Sequence, residues 1–175
     1  MDQMGGPKSS PLRREELLDR YPGLATSHFR LTSPDDSLYN CYAFAGGDTR
    51  RNWHPSAYGG LYWPGGASED ETLEAFLHAY SRLGYRVCVS DELEPGLEKI
   101  AIYADAEGPS HAARQLPNGY WTSKLGPRED IEHELRGLEG DRYGRVVAIA
   151  ARPLGGQEVL ALDQPASPQN DVNAP

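Results

Sequence analysis

Apolar residues recur at helical spacing in the first half of the chain and at strand spacing in the second. RREELLDR at 13–20 predicts a short helix, closed by Tyr21-Pro22-Gly23. In SPDDSLYNCYAFAGG, Leu38, Tyr42 and Ala45 fall at i, i+4 and i+7. This predicts a helix over 36–45, with Ser33 or Asp35 as N-cap, Pro34 in the tolerant first turn, and Gly46-Gly47 as its stop. Residues 48–68 hold no period, so they predict a long irregular loop of a class that is usually functional. Ser68 with Glu71 reads as a capping box for a helix with the stripe Leu73, Phe76, Leu77 and Tyr80, ended at Gly84.

Beyond Gly84 the pattern turns to β. YRVCVS (85–90), KIAIYA (99–104), SHAARQL (110–116), GYWTSKL (119–125) and GRVVAIAAR (144–152) read as strands, and EVLAL (158–162) as a weak one. Pro117-Asn118-Gly119 predicts a hairpin between the third and fourth. PREDIEHELRGL predicts one inserted helix over 128–138. Helices segregated from a mostly antiparallel sheet make an α+β fold. Residues 1–12 and 164–175 are poor in apolar positions and are expected as disordered tails around a single domain at 13–163.

Charge narrows the function classes. Seventeen Lys+Arg against 26 Asp+Glu give a net charge of −9, which argues against nucleic-acid and anionic-membrane partners. No apolar run approaches a membrane span and no export signal is visible, so a cytoplasmic location is expected. Cys41 and Cys88 are too few for a disulfide framework.

The candidate chemistry centres on Cys41. In the first turns of a helix a thiolate is stabilised by the unpaired peptide N–H groups. His111, at the head of a strand, is the candidate base, and the Cys41 N–H is one candidate oxyanion donor. The competing reading of Cys41 is inert packing. Cys88, between Val87 and Val89, reads as core. His28 is expected to pair with nearby acids, and His78 and His133 to lie on solvated helix faces. His54 lies in the aromatic loop. No C-x-x-C, H-E-x-x-H or D-x-D run suggests a metal, and no cofactor is expected.

An orienting group for His111 depends on the hairpin register. A three-residue loop places Ser123 diagonal to His111; a two-residue loop places Lys124 there. Gln115 shares the face of His111 in both. Trp53, Tyr58, Tyr62 and Trp63 would wall a substrate cleft or, equally, anchor the loop.

The order of a Cys on an early helix, a His on a strand and a polar residue on the next strand resembles the papain-like superfamily in its compact NlpC/P60-like form. Asn40-Cys41-Tyr42-Ala43-Phe44-Ala45, Ser110-His111-Ala112 and Thr122-Ser123-Lys124 carry the resemblance. The stretch also resembles an uncharacterised bacterial domain family with that proposed fold, over about residues 36–150. The resemblance implies a cysteine hydrolase of peptidase, amidase or deamidase type acting on an amide. Cys41, His111 and Ser123 would be its catalytic residues, with Asn40, Trp53, Trp63 and Lys124 at the substrate. Asp35 stands where papain has its oxyanion glutamine, and Asn40 where NlpC/P60 members usually carry aspartate. The alternative is an inactive papain-like module that binds a protein, basic by charge complementarity, through the aromatic loop 48–68. A third reading is an oxidation sensor on Cys41.

Overall fold

A computed structural model describes residues 11–55 and 61–155. Helix α1 (Pro11–Arg20) opens on a proline, which an N-terminal turn accepts because its first N–H has no helical partner, and buries Leu17. It starts two residues ahead of the expected boundary. A 3-10 turn, Pro22–Thr26, follows. The strands are β1 (Phe29–Leu31), β2 (Arg86–Cys88), β3 (Leu97–Asp105), β4 (Gly108–Gln115), β5 (Trp121–Lys124), β6 (Asp130–His133) and β7 (Arg145–Pro153). Among the described residues they form one sheet, in the order β1-β6-β5-β4-β3-β7-β2, with every pairing antiparallel. The expected α+β class holds at this level.

Side-chain alternation gives the sheet two buried faces. On one, Ala101, Tyr103, Ala113, Trp121, Ile131 and Ile149 pack with Leu17, Tyr21, Leu24, Leu138 and Tyr143. On the other, Ile100, Ile102, Ala112 and Ala150 pack under α2 (Cys41–Ala45) and α3 (Leu73–Ser81) through Ala43, Phe44, Phe76 and Tyr80. The middle strands are therefore covered on both sides, which is why β3 reads as a nearly continuous apolar run.

Four expectations are corrected. The helix expected over 36–45 is only α2, because Asn40, not Ser33 or Asp35, accepts the capping bond from the Ala43 N–H. Thr72 rather than Ser68 caps α3, and the Ser68 hydroxyl turns to Asp70 instead. The helix expected over 128–138 is strand β6 followed by a 3-10 turn, Leu135–Leu138. Its acidic residues Glu129, Asp130 and Glu132 are buried. Glu132 is buried and held by Arg30 at 2.8 Å, His28 at 3.0 Å and Asn118 at 3.1 Å, which pull its carboxyl down to about 2. That contact gives His28 the acidic partner expected of it. Finally, Cys88 is half-buried on an edge strand, and its neighbours Val87 and Val89 are exposed.

The hairpin turns where Asn-Gly predicts it. Arg114 faces Thr122 and Gln115 faces Trp121, with Leu116 donating to the Tyr120 carbonyl, so the loop has three residues. Gly119 takes φ +88, the left-handed conformation such a turn requires. Pairing between β4 and β5 stops at Arg114 and Thr122. The strand expected at 158–162, Tyr58 and both expected tails, apart from Pro11 and Leu12, lie outside the described residues.

Candidate active site

Cys41 is the first residue of α2, and its position is set by Asn40. The Asn40 backbone is extended, and its Oδ1 accepts from the N–H groups of Ala43 (3.1 Å) and Trp53 (3.2 Å). Its Nδ2 donates to the Trp53 carbonyl at 2.6 Å. One side chain thus caps the helix and ties down the loop. Asn40 is a structural clamp, a role its expected place at the substrate did not anticipate.

Cys41 is 9% exposed, and three backbone N–H groups, those of Ala112, Tyr42 and Cys41 itself, favour its thiolate form. Ala112 directly follows His111 in the chain, but neither His111 nitrogen hydrogen-bonds the Cys41 sulfur. The thiol is not acidified, however. Burial outweighs the three donors and pushes it up to about 12. A five-residue helix has little dipole to oppose the loss of water.

His111 lies in the middle of β4, opposite Tyr103, and is fully buried. Its ring stacks on Tyr143 at 4.0 Å between centroids and 11° between planes, and meets the edge of Tyr103 at 5.3 Å. Neither ring nitrogen has a hydrogen-bond partner among the described residues. Desolvation, helped by the nearby His133, holds the imidazole well below its ordinary value, hence neutral.

Ser123 does not orient His111. Its hydroxyl bonds His133 Nε2 at 2.7 Å, while His133 Nδ1 meets the Glu134 carbonyl at 2.7 Å. His133 is buried, and desolvation lowers it to about 4. It was missed because the charged run around it reads as a helix. Lys124 is also fully buried, with Nζ over the Tyr39 ring at 4.7 Å, bonded to the Arg128 carbonyl and 3.8 Å from Asp130 Oδ1. Tyr39 donates to Asp130 Oδ2 at 2.9 Å. This cluster braces the residues just before Cys41.

The loop aromatics anchor. Trp53 is buried, donates to Asp48 at 3.1 Å and packs on Tyr62 and Tyr80. Trp63 packs edge-on against Phe76 and donates to the Ser68 carbonyl at 2.8 Å. His54 sits 3.7 Å from Glu71, and His78 is exposed on α3 as expected. Among the described residues no group of three His, Cys, Asp or Glu could hold a metal ion. None of their helices is long and apolar enough to cross a membrane. A polar cavity of about 750 Å³, walled by Asp19, Arg20, Glu139, Asp141 and Arg142, is also lined by Tyr143. The Gly140–Gly144 spacing around Tyr143 is the turn signal that could have marked it.

A family model described as Domain of unknown function (DUF7689) matches residues 30–151, and the chain belongs to that family. No curated protein and no solved structure matches it.

Proposed function

We propose that this member of a family of unknown function is a cysteine hydrolase acting on an amide-type substrate, with Cys41 as nucleophile and His111 as general base. The observation that supports the proposal is the peptide after His111: its N–H, with those of Cys41 and Tyr42 at the helix start, favours the thiolate form of Cys41. Donors converging on a sulfur suit a transient thiolate and have no packing purpose. The fold reading that accompanies the proposal is the papain-like, NlpC/P60-like arrangement of Cys on a helix and His on a strand. A cytoplasmic setting belongs to the same proposal; both cysteines are unpaired.

With the thiol pushed up and the imidazole pushed down, both groups rest neutral. The chemistry is then general-base catalysis rather than a preformed ion pair. A His111 ring nitrogen takes the thiol proton as sulfur adds to the amide carbonyl. The Cys41 N–H is the nearest backbone donor to the resulting oxyanion. Collapse breaks the C–N bond, and the imidazolium gives its proton to the departing amine. Water, deprotonated by the same imidazole, then cleaves the thioester and restores the thiol.

A second reading, the inactive module, is favoured by closure: Cys41 is nearly covered, and neither His111 nitrogen has a hydrogen-bond partner among the described residues. A chloroacetamide separates the two. The enzyme reading expects Cys41 to be alkylated in a His111-dependent manner, with His111→Ala slowing it about tenfold or more. The module reading expects the half-buried Cys88 to react first and His111→Ala to change nothing.

A further inference from the structure

We infer that Tyr143 is a movable wall of a polar binding cavity, and that a small polar amide reaches His111 when this ring swings aside. Calling that amide the substrate rests on the chemistry proposed above; the uncovering of the imidazole does not.

The His111 ring is walled in by aromatic rings, and the stacked Tyr143 ring covers one whole face. Tyr143, 8% exposed, also lines the 750 Å³ cavity between Asp19, Arg20, Pro22 and residues 139–142. One side chain therefore separates a surface cavity from a buried imidazole with two unpartnered nitrogens. Such unpaired buried nitrogens are costly in a closed interior and useful only when something polar arrives.

The backbone around Tyr143 is fixed, so an opening here is a movement of its side chain. Gly140 and Gly144 bond each other reciprocally at 2.9 and 2.7 Å. Gly144 takes φ +67 and lies so close to β3 that an added Cβ would meet the Ala104 carbonyl oxygen at 1.9 Å. The Ser110 hydroxyl holds the Tyr143 carbonyl at 2.6 Å. Besides its stacking on His111 and Tyr21 and its contact with Arg142, the side chain has a hydroxyl latch, the bond between Tyr143 and Tyr21 at 3.0 Å. The motion is thus a side-chain rotation against that packing rather than unfolding of a loop.

What the ring leaves behind sets the ligand class. The Arg142 guanidinium, which now interacts with both tyrosines, lines the cavity, and the Tyr21 hydroxyl behind it loses its Tyr143 partner. Both are donors suited to a carbonyl or carboxylate oxygen. An amide whose oxygen they hold presents its carbonyl toward the imidazole.

The test is modification by diethyl pyrocarbonate, read residue by residue by mass spectrometry, with exposed His78 as internal standard. In the native chain His111 should react far more slowly than His78. Tyr143→Ala should raise the His111 rate about tenfold or more, and Tyr21→Phe, which removes only the latch, about two- to threefold. An unchanged His111 rate in folded Tyr143→Ala overturns the inference. If that variant does not fold, an unchanged rate in Tyr21→Phe does so. Chloroacetamide labelling of Cys41 that ignores His111→Ala would defeat the dyad and leave the gate standing, so the two failures are distinguishable.

Discussion

Strands β5 and β6 and strand β4 bury polar side chains at similar depth and treat them differently. Between β5 and β6, Ser123 bonds His133, His133 bonds the Glu134 carbonyl, and Lys124 lies opposite Asp130 in the register. On β4, His111 has no hydrogen-bond partner for either nitrogen among the described residues, and on α2 burial keeps the Cys41 thiol protonated. Partnered groups offset their desolvation and fix the register of a sheet. Unpartnered ones contribute nothing to folding; each costs about 1–3 kcal/mol. The first region is framework and the second is the proposed site, so substitutions should split them: large stability losses in one, losses of reactivity alone in the other.

The largest effect is expected at Asp130. Asp130→Ala strands the Lys124 amine in the interior and frees the Tyr39 hydroxyl. Breaking one side of a buried pair typically costs about 3–5 kcal/mol, while replacing both sides with apolar groups recovers most of it. Urea denaturation of Asp130→Ala, and of Asp130→Leu combined with Lys124→Met, checks both halves. A single variant within about 1 kcal/mol of the parent would show that the pair is not framework.

The next effect is set by pH. His133 sits at about 4 in the fold, against an ordinary value of 6.5. The unfolded chain therefore binds more protons between these limits. The associated stability is fully present above pH 6.5 and drains away as the pH falls toward 4, by roughly 3 kcal/mol. His111 is lowered in the same direction and adds to the loss. Glu132, held down at about 2, contributes only below the ordinary carboxylate range. Denaturation midpoints at pH 7 and 5 should differ clearly in the parent and less in His133→Gln. Equal midpoints in the parent would mean that these imidazoles are not buried as neutral groups.

Much of this architecture was written locally. The Asn-Gly hairpin, the α3 stripe and the β-branched runs of β3 and β7 each carry their own signal, and tertiary packing only confirmed them. Strand β6 was not legible, because Asp130 and Glu132 look solvated until Arg30, His28, Asn118, Lys124 and Tyr39 arrive from other elements. The site was half legible. Asn40-Cys41 at a helix start and His111 on a strand were readable, and both elements form. The depth of the site was not readable, since burial of Cys41 depends on β4 and burial of His111 on Tyr103 and Tyr143. Ser123 was placed on the correct strand but beside the wrong histidine, because β4 and β5 part company after Arg114 and Thr122.

The smallest effect on stability, and the sharpest on the comparison, is expected at His111→Phe. Phenylalanine keeps an aromatic ring between Tyr103 and Tyr143, so stacking and volume are largely conserved. It removes two polar atoms that make no bond in the folded chain. Deleting a hydrogen-bonded histidine such as His133 would leave Ser123 stranded; deleting His111 strands nothing. The change should therefore lie within about 1 kcal/mol of the parent, and on the stabilising side if the ring fits. The same variant should lose His111-dependent alkylation of Cys41, because phenylalanine accepts no proton. Stability retained with reactivity lost is the signature of a residue kept for chemistry. A loss of about 3 kcal/mol or more would instead make His111 part of the framework and erase the distinction between β4 and its neighbours.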